Sequence, residues 1–290
     1  MPELPELETI RRHLENHLPG ARVVDVRLRR RDVLRTPSGH RRGGGDPQEW
    51  LLKGQVIESI QRRGKQVHLD GSAGSGLLIR LGMSGQILLD PTGKCHLKHR
   101  HASWTLERGE NRFLMHFVDP RRFGGLFATL NPEDLESRFW SKLGPDGLSI
   151  TSRALAKALS RTSRCLKAAL LDQGVVAGLG NIYVDESLHL AQLSPLRASN
   201  SLTSPESASL TKSIRGVLRA ACKAGGTTFR DYRTPSGGEG DFVHNLLVYG
   251  RQGESCFTCG SNLVSDVVAA RTTVWCGVCQ KVSTMDSHVG

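Results

Sequence analysis

The chain has 290 residues, 38% hydrophobic and 23% charged, which excludes a disordered or fibrous protein and leaves room for two or three domains with their own cores. No apolar run approaches the roughly 18 residues of a membrane span, and no secretory leader pattern is present, so no membrane partner and a cytoplasmic location are expected. The 39 Lys and Arg against 28 Asp and Glu leave a net charge of +11, and the arginines are bunched in "RLRRRDVLR" (27–35), "HRR" (40–42), "QRRGK" (61–65) and "DPRRFG" (119–124). A solvated basic surface accounts for such runs. A polyanion partner, nucleic acid above all, accounts for the preference for the phosphate-matching guanidinium fork.

In chain order, "PELETIRRHLENHL" (5–18) reads as a helix. Pro5 suits its first turn, Glu6 and Glu8 suit the positive end of the dipole, and Leu7, Ile10, Leu14 and Leu18 form one apolar stripe. Between 21 and about 130 the texture is β. The runs 23–28, 66–70, 77–81, 86–89, 102–106 and 112–118 have strand length and partial alternation. Gly- and Pro-rich turns separate them, and "TPSGHRRGGGDPQ" (36–48) reads as a surface loop. Many short strands with turn signals predict an antiparallel sandwich or barrel that the N-terminal helix partly covers.

A helical half follows, with candidates at 131–140, 151–160, 164–173 and 204–226. In the last, Ser204 caps, Pro205 opens, and Gly225-Gly226 close the helix. The expected domains are 1–132, a linker at 133–150, a helical domain at 151–245 and a terminal finger at 246–290.

The finger carries the sharpest local signal. Cys256 and Cys259 are followed, after sixteen intervening residues, by Cys276 and Cys279. Two C-x2-C turns separated by a hairpin length match a four-thiolate zinc site, which is closed and therefore structural. Unligated thiols or two disulfides are the alternative. Cys95, Cys165 and Cys222 are isolated, as in a reducing compartment. Between the pairs, "LVSDVV" and "TTVW" read as strands with Arg271 at the tip, either a solvated turn arginine or a side chain for a duplex groove.

Three loops invite a functional reading. "GLGN" (178–181) sets a Gly-rich turn before a helix starting at Asn181, where exposed N–H groups bind phosphate. "LGMSG" puts Met83 between glycines, and "DPRRFGG" puts Arg121, Arg122 and Phe123 on a second loop. Met83 and Phe123 are core residues on the simple reading. On the other they are wedges that part base steps, with Arg121 filling the vacated space.

Together, "MPELPELET", "LGMSG", "DPRRFG", "LLDQGVVAGLGNIYVDESL", "GGTTFRDY", "VYGRQGESC" and the cysteine ribbon resemble the bacterial formamidopyrimidine-DNA glycosylase family, nearly end to end and in order. The resemblance implies an α+β fold: an N-terminal helix and antiparallel β-sandwich, then a helix–two-turns–helix domain ending in the zinc ribbon. It implies a monomeric, nucleoid-associated glycosylase and abasic-site lyase acting on duplex DNA with oxidised purines or abasic sites, and one structural Zn2+ as the cofactor.

It also implies roles. With Met1 removed, the Pro2 secondary amine attacks C1′ and forms a Schiff base, Glu3 moves protons, and the helix keeps this end from fraying. Lys65 lies near the target phosphate and takes part catalytically in β-elimination. Asn181 and Arg271 grip flanking phosphates, and Arg271 also assists the second elimination. Met83, Arg121 and Phe123 fill the void, and His99 joins Arg121 as a DNA contact. Lys167 matches a family lysine of the DNA-binding set, Arg161 and Arg164 match phosphate partners, and 233–242 resembles a loop that closes on the extruded base. Arg80 stands where some relatives have His, and Arg230 where some have Lys. Two other readings stay open: the endonuclease VIII type, which usually opens "MPEGPE" where this chain has Leu4, and a non-catalytic DNA-binding ribbon protein.

Overall fold

The computed structural model describes residues 2–37, 46–95, 97–227 and 238–281. Most of the expected loop at 36–48 and half of that at 233–242 lie outside the described residues, as does Arg230. The chain divides into two compact units, Met1–Lys142 with Ala224–Asp241, and Leu143–Lys223 with Phe242–Gly290.

In the first unit, α1 spans Leu4–His17, one residue earlier than the sequence predicts, with Glu3 as its N-cap and Pro5 in its first turn. Glu6 turns back to accept the Glu3 backbone N–H at 2.7 Å, a carboxylate at N3 satisfying an orphan donor. The stripe Leu7, Ile10, Leu14 and Leu18 is buried. Among the described residues nine strands follow: β1 (Arg22–Leu28), β2 (Leu34–Arg35), β3 (Ile57–Arg63), β4 (Gln66–Gly71), β5 (Gly76–Arg80), β6 (Gln86–Asp90), β7 (Arg100–Arg108), β8 (Asn111–Val118) and β9 (Gly125–Thr129). They form a four-stranded sheet, β1-β7-β8-β6, and a five-stranded sheet, β2-β9-β5-β4-β3. All pairings within these two sheets are antiparallel except β2 with β9, a two-residue parallel match of Leu34 with Leu126 and Arg35 with Phe127.

One apolar cluster joins α1 to both sheets, through Val23, Ile87, Trp104 and Phe117 of one and Ile60, Leu69, Leu77 and Ile79 of the other. This is the predicted sandwich. Truncating a central member such as Leu14 to Ala is worth about 2–5 kcal/mol. The outer face of the five-stranded sheet is covered too. Leu78 packs with Leu135 and Phe139, from and just after α2 (Pro132–Arg138), whose N-cap Asn131 accepts the Asp134 N–H at 2.8 Å. Arg80 lies with its guanidinium 4.9 Å and 5.1 Å from the ring centres of Phe127 and Phe139. It is thus an arginine stacked between aromatic rings, and burial pushes its pKa down.

The second unit holds α3 (Ser152–Leu159), α4 (Leu166–Leu171), α5 (Asn181–Leu190), α6 (Ser204–Lys223) and the hairpin of β10 (Val264–Val268) and β11 (Arg271–Trp275). Thr151 caps α3 through the Ala154 N–H. α4, two turns and α5 make the helix–two-turns–helix. α5 is buried from Ile182 to His189 and packs against α4, α6 and β11. Among the described residues no helix is long and apolar enough to cross a membrane.

Candidate functional site

The first unit assembles two groups of the predicted residues. One is the head of α1. Pro2 and Glu3 are buried rather than frayed. Glu6 holds them through the Glu3 N–H, and its other oxygen accepts the Thr227 N–H at 2.7 Å. Gly226, at φ +89°, is packed so closely on Glu6 that a Cβ there would sit 2.7 Å from Oε1. Residues 224–227 therefore join the sandwich unit, although the sequence suggests they continue the helical half. Two residues further along the helix, Glu8 accepts from Arg62 Nε at 2.9 Å. Arg62 in turn donates to the Gly64 carbonyl at 3.1 Å. Gly64 and Lys65 are the two-residue turn between β3 and β4, with Gly64 at φ +55°, as the first position of a tight hairpin turn requires. Burial alone would push the Glu8 carboxyl up, but its bonds to Arg11 and Arg62 outweigh that and hold it below the usual range.

The second group surrounds Asp119, which is 0% exposed. Its Oδ1 accepts the Ser84 hydroxyl at 2.6 Å and its Oδ2 the Gly124 N–H at 2.8 Å. Ser84 also accepts the Arg121 N–H at 3.1 Å. One carboxylate thus ties the Met83 loop to the Phe123 loop. Gly82, at φ +61°, lets their backbones touch, since a Cβ there would meet Phe123 C at 2.5 Å. Met83 and Phe123 are 38% and 59% exposed, so they are not core residues. The Arg121 guanidinium lies 4.8 Å from the Phe123 ring centre. His99 is exposed, with φ +57°, and its carbonyl accepts the Asp119 N–H at 3.1 Å. Met83, His99, Arg121 and Phe123 accordingly share one anchored surface.

In the second unit, Asn181 opens α5 after the N-cap Gly180, and its amide donates to the Thr272 carbonyl at 3.0 Å. Arg271 is exposed at the hairpin end, where Ala269 and Ala270 form the two-residue turn at φ +51° and +56°. Lys167 departs from its expected role. It is 0% exposed, and its ammonium pairs with Asp185 Oδ1 at 2.5 Å and reaches the Thr272 carbonyl at 3.4 Å. A lysine enclosed in this way does not reach a phosphate. Instead, Lys167 and Asp185, which also accepts the Val274 N–H at 3.2 Å, dock β11 on α5. Burial drives the Asp185 carboxyl upward against the pull of Lys167. Arg161 and Arg164 sit apart from this cluster on the exposed α3–α4 connection, where Arg164 pairs with Asp172 at 2.9 Å.

The ligand atoms of Cys256, Cys259, Cys276 and Cys279 all lie within 4.8 Å of one another. The Thr258 and Cys279 N–H groups each donate to a sulfur at 3.4 Å, a pattern that supports thiolate. Four sulfurs around a metal at about 2.3 Å bond length lie roughly 3.8 Å apart, so this cluster fits a metal ion. Glu186 secures the approach to the ribbon by accepting the N–H groups of Leu247, Val248 and Tyr249 at 2.8, 3.0 and 2.9 Å.

Glu8, Arg62, Asp119, Asp185 and Glu186 have no counterpart among the predicted site residues. Glu8 is legible only as a dipole partner, and Asp119 only as the acid before a proline turn. The other three carry no local signal.

A helix-capped β-sandwich, a helix–two-turns–helix and a four-cysteine ribbon define a class of DNA-repair glycosylase architecture. The family model for the formamidopyrimidine-DNA glycosylase N-terminal domain matches residues 1–126, and that for the family's H2TH domain matches 143–233. The formamidopyrimidine-DNA glycosylase of Xanthomonas axonopodis pv. citri is 40% identical over 285 residues, covering 97% of this chain and all of the relative. The crystal structure of the MutM (Fpg) protein of Thermus thermophilus is 38% identical, with a TM-score of 0.83 over 97% of this chain and 99% of that one. A Lactococcus lactis Fpg variant bound to Fapy-dG DNA is 31% identical, with a TM-score of 0.86 over 97% and 100% of the two chains. The chain belongs to the formamidopyrimidine-DNA glycosylase family.

Proposed function

We propose that this protein excises oxidised purines, 8-oxoguanine and formamidopyrimidines, from duplex DNA and then cleaves the abasic site by β,δ-elimination. The observation that carries this reading is the fixed head of α1, which holds Pro2 and Glu3 in place through Glu6. A nucleophile at a chain terminus is of use only if the terminus is ordered.

With Met1 removed, Pro2 has a free secondary amine. A terminal amine titrates near 8, against about 10.4 for lysine, so much more of it is unprotonated at neutral pH. The amine attacks C1′ as the damaged base departs, and Glu3 moves the protons. The C1′–O4′ bond then breaks, O4′ takes up a proton, and the ring opens to the iminium, which draws electrons from C2′–H so that this proton is lost as the 3′ phosphate leaves. Lys65 supplies a cation at the target phosphate. Met83 and Phe123 part the base steps and Arg121 occupies the gap, with His99 beside them. Asn181 and Arg271 bind the flanking phosphates, Arg271 also assists the second elimination, and Arg161 and Arg164 add positive charge. Lys167 acts by holding β11. The ion in the cysteine cluster is Zn2+, and its role is structural. The protein works as a single chain in the nucleoid-associated cytoplasm, and its domains are those set out from the sequence except that residues 224–241 belong with the sandwich unit.

Borohydride added during turnover on a duplex with one 8-oxoguanine opposite cytosine is expected to trap a covalent adduct on Pro2. Adding a residue ahead of Pro2 makes the amine an amide and is expected to abolish trapping and cleavage. An adduct on Lys65 instead would overturn the mechanism. A panel of single-lesion duplexes decides between this spectrum and oxidised pyrimidines.

A further inference from the structure

We propose that Glu8 and Arg62 are a positioning pair that sets the place of Lys65 relative to the terminal residues of α1. The proposal rests on the reading of Lys65 as a participant in the reaction. Pro2 and Glu3 are continuous with α1, and Glu8 lies on that same helix. Its carboxylate accepts from Arg62 Nε at 2.9 Å, and Arg62 Nη1 donates to the Gly64 carbonyl at 3.1 Å. Lys65 is the next residue, at the turn of the β3–β4 hairpin. A two-residue turn at a hairpin tip is a mobile place for a charge that must meet a phosphate. Here two hydrogen bonds in series tie that turn to the helix that presents the amine.

Neutralising Glu8 does not require Arg62. Arg11 and Arg12, on the same helix, already donate to it at 3.1 and 2.9 Å. Arg62 instead leads across to the hairpin. The side chains of Glu8 and Arg62 are only 9% and 7% exposed. Enclosing an ion pair contributes little net stability, because desolvation offsets the attraction. What it does supply is a fixed geometry. Reacting groups misplaced by about 1 Å lose up to roughly a hundredfold in rate.

The test is a double-mutant cycle on single-turnover strand cleavage of a duplex carrying one 8-oxoguanine opposite cytosine. Glu8→Gln is expected to lower the maximal rate roughly tenfold while half-saturation changes by less than about twofold. Lys65→Ala alone is expected to lower the rate at least as much. Glu8→Gln added to Lys65→Ala is expected to cost nothing more, because the residue it positions is gone. If the two losses multiply, the proposal fails and the reading of Lys65 stands. If Lys65→Ala retains full activity, that reading fails and takes the proposal with it. Should Glu8→Gln not fold, Arg62→Lys serves in its place. It keeps the charge but loses the fork that joins Glu8 to Gly64, and the same non-additivity with Lys65→Ala is expected.

Discussion

Asp119 shows how much of this surface depends on one side chain. Its two oxygens serve two loops, Ser84 on one and Gly124 on the other. Asn at this position keeps one acceptor and turns an N–H₂ toward a group that is itself a donor. Asp119→Asn is expected to cost about 1–3 kcal/mol in denaturant unfolding, the penalty for a buried group left unmatched. It is also expected to slow extrusion of a fluorescent base analogue while leaving affinity for undamaged duplex unchanged, since Met83 and Phe123 lose their seat but the cations stay. Equal losses in both measurements would mean that Asp119 supports the whole unit rather than the wedge. Met83→Ala separates the side chain from its support. With 38% of Met83 exposed, its removal is expected to leave stability within about 0.5 kcal/mol and to slow extrusion. A stability loss of core size would contradict the exposed placement.

Two elements carry departures that predict measurable effects. The β10–β11 turn places Ala269 and Ala270 in the left-handed region, where a Cβ costs roughly 1–2 kcal/mol per residue. Ala270→Gly is expected to raise hydrogen-exchange protection of the hairpin amides several-fold, corresponding to about 1 kcal/mol. Unchanged protection would mean that the docking on α5 already fixes the turn. α6 begins with Glu206 accepting the Thr203 N–H at 2.8 Å and pairing with Arg197. Its bond to Arg197 holds the carboxyl down to about 2 from its ordinary value of 4.5. A lowered carboxylate contributes stability that is present above the ordinary value and lost as pH falls toward about 2. Glu206→Gln is therefore expected to flatten the acid limb of the stability profile between those values, with little change at neutral pH beyond that lost contribution. An unchanged acid limb would assign no stabilisation to this cap.

The elements are legible where a local pattern suffices. α1, α6 and six strands follow from stripes, caps and alternation. β3 does not, because "IESIQRR" mixes charges into a strand held by its neighbour β4. The two-residue β2 exists through its pairing with β9, and β9 through its pairing with β5, each far away in the sequence. The same physics hides the site's supports. Glu8 meets Arg62 and Glu6 meets Thr227 at sequence separations of 54 and 221, which no helical period encodes.

At the scale of the molecule, the excess of 39 basic over 28 acidic residues and the cysteine ribbon act on the same quantity, affinity for a polyanion. Charge supplies the part that is indifferent to sequence. Binding to undamaged duplex is expected to weaken steeply with salt as condensed counterions are released. The ribbon supplies placement. β11 is held from two sides, by the cysteine pair that follows it and by the Lys167–Asp185 clamp at Thr272 and Val274. The clamp engages β11, at Thr272 and Val274, and β10 is joined to it through its pairing with β11. Removing the metal, by chelation or by Cys256→Ser, is therefore expected to unfold the ribbon. Lesion-duplex affinity is expected to fall by at least the loss seen in Arg271→Ala. Arg271→Ala is expected to keep its metal and to lower the salt slope by about one unit, as one phosphate contact is lost. Trp104, enclosed in the sandwich with its indole N–H on the Leu51 carbonyl at 2.9 Å, reports on the other unit and is expected to keep its environment when the metal leaves. Normal affinity in Cys256→Ser would remove the ribbon from the binding surface. Metal loss in Arg271→Ala would mean that the arginine stabilises the ribbon and that its contact with DNA is secondary.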